Sequence, residues 1–374
     1  MKIIFITPQP PELYGGGGNL ILSHLLAFIH LFGKENILYF GPEPKSLRID
    51  VRKCIFLRAT KKYQKYKNLI SQNNYTRLGI LAESDYYWED INGFSDFVWI
   101  EFTKTGHLIK KLKSAGKKIY CFAHNVESIY YKDSEPKIFR LFKKSIYENE
   151  YLSLLYSDKI LGAENYLMNL IRYYQLTCRE KLIIFPPFIH INYLKKYTRN
   201  HIDDYFVISG SFKYKHNYNY LLGLLKAWSM LNKKEDTFLC IIGSDLYKCL
   251  RSLNNMDNIK NIGIYNNPIS ELSLIRRSVA LLNPTISKSG ILIKNIIALS
   301  QGVPIIGFKE SFDGYDISNK NAFFVVRSYS EMIETAFYLL ENKNMLVTIS
   351  KDIIELFNEK YSLEAGIKIM RNIL

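Results

Sequence analysis

The sequence predicts an α/β protein with two Rossmann-like, doubly wound domains that face each other across a cleft. The first observation is length, because 374 residues exceed what one hydrophobic core usually organises. Short apolar runs also alternate with helical segments in both halves, as in parallel sheets. Thirdly, a polar, charged stretch separates the halves near residues 192–204. The predicted domains are therefore residues 1–192 and 203–350, followed by a helical region, 351–374, that we expect to cross back to the first domain.

The first domain opens with a buried strand over residues 2–7, four consecutive glycines and an amphipathic helix. This strand–loop–helix order is typical of the first unit of a doubly wound domain. The glycines from Gly15 to Gly18 would let the backbone approach a ligand closely. They depart from the dinucleotide pattern G-x-G-x-x-G, and no acidic residue follows at ribose-binding spacing. A flexible loop without a ligand is the alternative.

The remaining elements follow from the same alternation of apolar runs and periodic segments. In the first domain, strands are predicted at residues 36–40, 96–101, 117–123, 157–163 and 181–188, and helices at 105–115 and 139–155. In the second, strands are predicted at 204–211, 238–243, 258–263, 279–284, 304–307 and 322–326, and helices at 219–231, 270–277, 330–342 and 345–374. Ligands of parallel sheets bind beyond the carboxyl ends of strands, so the loops there are the candidate site.

The stretch from Asn283 to Gly307, NPTISKSGILIKNIIALSQGVPIIG, predicts a strand, a glycine-hinged loop, a helix beginning near Gly290 and another strand. A Ser289–Gly290 pair at a helix start would leave backbone N–H groups and the positive end of the helix dipole free for an anion such as a diphosphate. Lys294 would add a point charge one turn later. The alternative is a helix that merely begins with glycine.

Charge and cysteine content restrict the class of partner. The formal charge is +15, from 50 basic and 35 acidic side chains, which favours anionic partners. Basic residues cluster at 61–67, 110–118 and 137–144, where solvated helix faces are the alternative reading. The sequence has neither zinc-ligand spacing nor a long basic tail, so it gives no indication that the protein binds nucleic acid.

Five scattered cysteines without C-x-x-C spacing predict a reduced, cytoplasmic protein. Neither a signal peptide nor an apolar run of the ~18 residues that a spanning helix needs is apparent. We therefore expect a cytoplasmic protein that is soluble or sits peripherally on the inner face of the membrane.

Three motifs in this order resemble the GT-B glycosyltransferases, and within them the retaining, polysaccharide-building members of glycosyltransferase family 4. They are HNVESIYY (residues 124–131), GSFKYKHN (210–217) and the 283–307 segment. The likeness extends over nearly the whole chain. It implies an acceptor-side first domain, a nucleotide-sugar second domain, and a UDP- or GDP-sugar as co-substrate without another cofactor.

The resemblance also implies roles for individual residues. His124 would contact the transferred sugar, and Glu127 would orient its loop or touch the acceptor, so these are the candidate catalytic residues. A satisfied core histidine and a charge at a helix N-terminus remain the alternatives. The candidate donor-phosphate ligands are Gly16, Gly17, Lys213, Lys215, Ser289, Gly290 and Lys294. Surface lysines remain the alternative for Lys213 and Lys215. The chain contains no D-x-D motif, so no metal ligand is predicted.

The chain departs from the family at two glutamates that usually stand eight positions apart around the 290s helix. The matching positions are Ser289 or Ser287 for the sugar-binding glutamate and Ile297 for the ribose-binding one. Ile297 cannot accept a ribose hydrogen bond. Either the donor is held differently, a neighbour such as Asn295 compensates, or the activity is degraded.

The sequence thus predicts a retaining, metal-independent hexosyltransferase that uses a nucleotide diphosphate sugar. Its acceptor would be a glycan or lipid-linked glycan in surface polysaccharide assembly, such as capsule or O-antigen. One alternative is a non-catalytic GT-B protein that acts as an assembly partner in a glycan-synthesis complex. A sugar-nucleotide epimerase of the same fold is a third reading, for which no convincing set of acidic and histidine groups is found. Nucleic acid is not an expected partner.

Overall fold

A computed structural model of the protein describes residues 1–12, 16–45, 48–56, 88–175, 179–190, 199, 201–212, 215–230, 237–244, 262–265, 268–286 and 290–374. The chain divides into two compact units. The first comprises Met1–His190, Ser289–Ile291 and Leu363–Leu374, and the second comprises Ile191–Lys288 and Leu292–Ser362.

The first unit is a parallel sheet of seven described strands in the order β3-β2-β1-β4-β5-β6-β7. The strands are β1 (Ile3–Ile6), β2 (Ile37–Gly41), β3 (Lys53–Phe56), β4 (Phe97–Glu101), β5 (Lys118–Phe122), β6 (Lys159–Gly162) and β7 (Leu182–Ile184). Every residue of β1, β2 and β4 is buried, because a parallel sheet is covered by helices on both faces. The near-continuous apolar runs that predicted these strands follow from that burial.

The helices of the first unit connect and cover this sheet. They are α1 (Gly16–Phe32), α2 (Trp88–Asn92), α3 (Gly106–Ser114), α4 (Glu127–Ser134), α5 (Pro136–Tyr156) and α6 (Glu164–Tyr174), with α12 (Leu363–Ile373) from the end of the chain. Helix α12 packs on α1. Its Gly366 lies so close to Phe188 that an added Cβ would stand 2.3 Å from the ring, so a glycine is required there.

The second unit is a parallel sheet of six described strands in the order β10-β9-β8-β11-β12-β13. The strands are β8 (Tyr205–Ser211), β9 (Phe238–Ser244), β10 (Ile262–Tyr265), β11 (Leu281–Asn283), β12 (Ile305–Phe308) and β13 (Phe323–Val326). The helices are α7 (Lys215–Ser229), α8 (Pro268–Arg277), α9 (Ile293–Ser300), α10 (Tyr329–Glu341) and α11 (Lys343–Lys360). The predicted α/β class with two doubly wound sheets is confirmed.

Two predictions about glycines are wrong in detail. The helix expected near Gly290 begins at Ile293, and Gly290 instead forms an isolated antiparallel bridge with Asn125. A Cβ on Gly290 would stand 2.4 Å from the Asn125 side-chain oxygen, so this glycine is used for close approach and not for a helix start. Gly16, Gly17 and Gly18 are not a loop, because they form the first turn of α1.

Other boundaries moved by a few residues. The helix predicted from residue 139 begins at Pro136, a residue whose fixed φ suits a first helical turn. The predicted helical region at the end of the chain is two helices, α11 and α12, separated at Tyr361–Ser362. Residues 258–261 of the predicted 258–263 strand and the whole 61–67 basic cluster lie outside the described residues.

Candidate functional site

A fully buried carboxylate, Glu101, lies at the carboxyl end of β4 between two histidines. His24 Nδ1 lies 2.9 Å from Glu101 Oε1, and His124 Nε2 lies 2.5 Å from Oε2. Trp99 Nε1 donates a third hydrogen bond to Oε1, at 2.6 Å. The candidate sugar-binding residue His124 is therefore held through its Nε2 by the carboxylate of Glu101, which ends the neighbouring strand β4.

The sheet order explains how these residues meet. β4 and β5 are neighbours, so Glu101 at the end of β4 and His124, two residues beyond β5, lie at the same edge of the sheet. Phe102 follows Glu101 with a φ of 72°, a left-handed conformation that is uncommon for an aromatic residue. Its ring stacks on the His124 imidazole, with centroids 3.9 Å apart and planes 16° apart. The strained turn thus fixes the plane of the His124 ring.

Burial and pairing set the protonation of this group. Burial alone would raise the pKa of the Glu101 carboxyl. The positive charges that His24 and His124 carry when protonated, together with their hydrogen bonds, lower it to about 2. Burial lowers the pKa of His124, and its hydrogen bond to Glu101 only partly opposes that effect. At neutral pH the centre therefore holds an ionised carboxylate and a neutral His124.

A second buried pair, Lys104 and Glu127, lies in the same region of the first unit. Glu127 begins α4 and is fully buried, and Lys104 is 6% exposed with its Nζ 4.1 Å from the centroid of the Phe102 ring. Burial raises the pKa of Glu127 to about 7, although the Lys104 charge acts in the opposite direction. Burial also lowers the pKa of Lys104, which the Glu127 charge opposes.

The Glu127 carboxylate is poorly satisfied. Neither oxygen has a donor with hydrogen-bond geometry among the described residues, although the Asn125 amide lies near enough to lower its pKa. The backbone is held instead: Glu150 Oε1 accepts from the Glu127 N–H at 2.6 Å, and Glu150 Oε2 accepts from the Ser128 N–H at 3.1 Å. Glu150 therefore takes the anion position at the helix N-terminus, and the Glu127 side chain is left for another role.

Glu127→Gln should change how stability depends on pH. The folded-state pKa lies above the ordinary value of 4.5, so the folded protein holds a proton that the unfolded chain loses between pH 4.5 and 7. Wild-type stability should therefore fall by ~3 kcal/mol relative to the variant as pH rises through that window. Urea unfolding at several pH values measures this difference.

The matched control for that experiment is Glu148→Gln, which neutralises an exposed carboxylate on α5. Lys104 loses its counter-charge in Glu127→Gln, so the change with pH and not the absolute stability is the informative quantity. A difference between wild type and Glu127→Gln that stays constant from pH 4.5 to 8 would contradict the raised pKa.

The second unit places Lys294 at the carboxyl ends of its strands. Lys294 lies in the first turn of α9, and its Nζ donates to the Thr285 hydroxyl at 2.7 Å and to the Ser209 carbonyl at 3.2 Å. Thr285 follows β11, and Ser209 lies near the end of β8. Burial lowers the pKa of Lys294 to about 7. Both of these partners are neutral, so an anion would be a stronger partner for the ammonium than either.

The structure shows how the side chains of Asn295 and Ile297 are placed, at the helix where a ribose-binding glutamate was expected. Asn295, the proposed compensating neighbour, is fully buried, donates from Nδ2 to the Ser311 carbonyl at 2.9 Å and accepts from Asn283 at 2.7 Å. Its amide thus holds β11, α9 and the segment after β12 together. Ile297 is partly buried and has no polar atom to offer. Neither side chain supplies a free acceptor for a ribose.

The other predicted phosphate ligands are distributed unevenly. Gly16 and Gly17 lie in the first turn of α1, and Gly290 forms the bridge to Asn125. Lys213, Ser289 and the side chain of Lys215 lie outside the described residues.

Sequence reasoning missed Glu101, His24 and Lys104. The one available signal was a glutamate that closes the otherwise apolar strand FVWIE. His24 gave none, because a histidine inside an amphipathic helix gives no indication of a partner 77 positions away. Across the described ranges, no group of three or more His, Cys, Asp or Glu side chains is placed to hold a metal ion.

Comparison with known proteins identifies the fold. No protein-family model and no curated protein sequence matches the chain. Among solved structures, WaaG, a glycosyltransferase involved in lipopolysaccharide biosynthesis, superposes with a TM-score of 0.69 at 13% identity over 99% of both chains. The sucrose-phosphate synthase of Thermosynechococcus elongatus gives 0.70 at 12% identity, covering 100% of this chain and 98% of that one.

A third similar structure was solved with a nucleotide. HepE of Anabaena, in complex with UDP, gives a TM-score of 0.66 at 9% identity over 100% of this chain and 99% of its own. These proteins are GT-B glycosyltransferases, and the chain has their fold. None of the described helices is both long and apolar enough to cross a membrane.

Proposed function

We propose that the protein is a glycosyltransferase that moves a hexose from a nucleotide diphosphate sugar to a glycan or lipid-linked acceptor. The observation that carries the proposal is the Glu101–His124 pair, a polar centre built at the carboxyl edge of a sheet in a chain with the GT-B fold. Its neutral imidazole suits contact with a sugar hydroxyl. The UDP bound by HepE makes a UDP-sugar the first donor to test.

In this proposal the first unit handles the sugar and acceptor, and Lys294 of the second unit holds the donor diphosphate. A leaving nucleoside diphosphate gains negative charge, which a preorganised ammonium stabilises in the transition state. The similarity to glycosyltransferase family 4 supports retention of anomeric configuration and surface polysaccharide as the pathway. Both remain parts of the proposal.

Ligand-observed NMR with UDP- and GDP-sugars tests the proposal first, with binding and slow donor hydrolysis scored in the same sample. Binding of one nucleotide class with hydrolysis would support a transferase and name its donor. No binding by any of them would contradict it.

A non-catalytic assembly partner is the second candidate. It is favoured by one observation, that Asn295 is committed to Ser311 and Asn283 while Ile297 is apolar, so neither can take the ribose. Absence of donor hydrolysis together with capture of the chain by a glycan-synthesis complex would favour it over the transferase.

We also propose that α5 docks on an anionic membrane, where lipid-linked acceptors lie. Its exposed residues include Lys137, Arg140, Lys143 and Lys144 together with Leu141, whose side chain is 72% exposed. Exposed basic side chains beside an exposed apolar one are typical of helices that bind at the lipid interface, and here they lie on both sides of a kink at Phe142. The buried residues Phe142 and Ile146 pack with Tyr131 of α4.

The double change Lys143→Glu/Lys144→Glu should weaken co-sedimentation with vesicles containing anionic lipid by about tenfold or more, since each basic residue near the surface contributes ~1 kcal/mol. Lys309→Glu/Lys351→Glu, at exposed lysines of the second unit, is a control with the same change of charge. Equal loss in both variants, or binding that salt leaves unchanged, would contradict docking through α5.

A further inference from the structure

Three ring nitrogens converge on the two oxygens of Glu101, and each of the three belongs to a buried ring. Oε1 accepts from Trp99 Nε1 at 2.6 Å and lies 2.9 Å from His24 Nδ1, while Oε2 lies 2.5 Å from His124 Nε2. Indole nitrogen is always a donor, whereas each imidazole nitrogen is a donor in only one of the two neutral tautomers. The tautomers of His24 and His124 therefore depend on whether Glu101 is ionised.

An ionised carboxylate accepts hydrogen bonds and donates none. Because its surroundings hold the pKa of Glu101 at about 2, it is ionised throughout the neutral range. Each facing imidazole nitrogen must then carry a hydrogen. This fixes His24 with the proton on Nδ1 and His124 with the proton on Nε2.

A histidine at position 24 costs folding free energy that its aromatic surroundings do not offset. The ring is fully buried, and its Nε2 has no hydrogen-bond partner in the described structure. Its neighbours are aromatic, with ring centroids of Phe122, Phe188 and Phe185 at 4.5, 5.1 and 5.7 Å. A phenylalanine would meet the same surroundings without an unpaired polar atom. The one contact that phenylalanine would lose is the hydrogen bond to Glu101.

Three titratable groups act on His124. Glu101 ends β4, His24 lies in α1, and Lys104 lies in the segment after β4. Glu127, which begins α4, acts on Lys104. His24 and Lys104 both disfavour a positive charge on His124, and burial does so more strongly. The arrangement therefore favours a neutral ring that is oriented by its bond to Glu101 and not a charged one.

We propose that Glu101 and His24 are positioning residues that hold His124 as the neutral, Nε2-protonated tautomer. In this tautomer Nδ1 is the unprotonated, basic nitrogen of His124, and the stack on Phe102 fixes the plane of the ring. The importance of this tautomer for sugar transfer rests on the proposed function, but the tautomer itself does not.

Long-range ¹H–¹⁵N NMR of the ¹⁵N-histidine-labelled full chain tests this directly, since the sequence has only seven histidines. The His124 signal is identified by its loss in His124→Gln. Between pH 6 and 8 we expect a protonated-type shift at Nε2 and an unprotonated-type shift at Nδ1. An Nδ1-protonated or a doubly protonated His124 in the wild type would overturn the proposal without recourse to any variant.

Glu101→Gln supplies the second arm. Trp99 Nε1 can only donate, so the glutamine oxygen should take the Oε1 position and the NH2 group should face His124 Nε2. Two donors cannot share that hydrogen bond, so His124 must change its tautomer or lose its partner, and its pattern should change. Glu148→Gln, which removes the exposed partner of His107 at 3.7 Å, is the matched control and should leave His124 unchanged. An unchanged His124 in folded Glu101→Gln would overturn the proposal.

If the protein turns over donor, Glu101→Gln should lower kcat at least tenfold with a smaller change in KM, and should alter the pH profile of kcat. An unchanged kcat and pH profile in a variant with an altered His124 tautomer would overturn the positioning role in catalysis. Failure of the proposed function itself would appear differently, as a wild type without turnover whose His124 nevertheless shows the expected shifts.

Discussion

His124→Ala is expected to lower the turnover of sugar transfer by about 100-fold or more, the usual scale for a side chain that exchanges a proton or hydrogen bond with the reacting group. His124 is 8% exposed at the end of β5 and is held from behind by Glu101 at 2.5 Å. Alanine removes the imidazole and leaves that carboxylate facing an empty space. Initial rates with a nucleotide sugar and acceptor measure the loss.

The matched control is His107→Ala, because His107 also pairs with a glutamate but does so on the exposed side of α3. It should retain wild-type turnover. Circular dichroism and thermal unfolding must show that His124→Ala is folded, since losing one partner of a buried hydrogen bond also costs stability. A folded His124→Ala with wild-type rates would remove this residue from the site.

The fold could be predicted because buried parallel strands appear in the sequence as short apolar runs. β1, β4 and β5 are short apolar runs, and each lay within two residues of its predicted position. Burial on both faces demands such runs, and glycine or proline marks where several of them stop. Cys121 and Cys240 lie in strands β5 and β9 and are buried free thiols.

The helix expected at Gly290 shows that a local sequence pattern can misplace the start of a helix when a long-range contact intervenes. A glycine followed by an apolar segment indicates a helix start, yet Gly290 pairs with Asn125, 165 positions earlier in the sequence. Such a tertiary hydrogen bond leaves no periodic trace in the sequence. Leu292, the residue before α9, has a non-helical backbone conformation, with φ −87° and ψ 88°.

The chemistry of the candidate site depends on the same long-range placement. His124 and Lys294 could be selected because each follows a strand or opens a helix, but their partners could not be. Glu101 reaches His124 across a β4–β5 pairing, and Lys294 reaches Ser209 from 85 positions away. Residue type and strand order predict that these side chains lie at the carboxyl edge of a sheet. Their protonation states depend on burial and on distant partners, which the sequence alone does not reveal.

Lys294→Met should weaken binding of a nucleotide sugar by ~1–3 kcal/mol at pH 6.5, the scale of losing one partner of a charge-assisted hydrogen bond. Burial lowers the Lys294 pKa to about 7, and its Nζ donates to the Thr285 hydroxyl and the Ser209 carbonyl. A diphosphate would favour the protonated ammonium and raise that pKa. Binding above pH 7 must therefore take up a proton.

The direction in which affinity changes with pH follows from the coupling between proton binding and ligand binding. Below pH 7 the ammonium is already present and affinity should be nearly flat, whereas above pH 7 affinity should fall by up to about tenfold per pH unit. A UDP-sugar is the ligand to use, because its diphosphate carries no terminal phosphate that titrates near neutrality. Calorimetry at pH 8 in two buffers of different ionisation enthalpy should show uptake close to one proton for the wild type and none for Lys294→Met.

Lys343→Met is the control, because it removes one lysine of the same unit at the opposite edge of the sheet, where Lys343 pairs with Asp204 just before β8. It should keep both the affinity and the proton uptake of the wild type. Proton uptake that persists in Lys294→Met would assign the titrating group elsewhere. Equal affinity in Lys294→Met and wild type would mean that the donor diphosphate does not replace Ser209 and Thr285 as the partner of this ammonium.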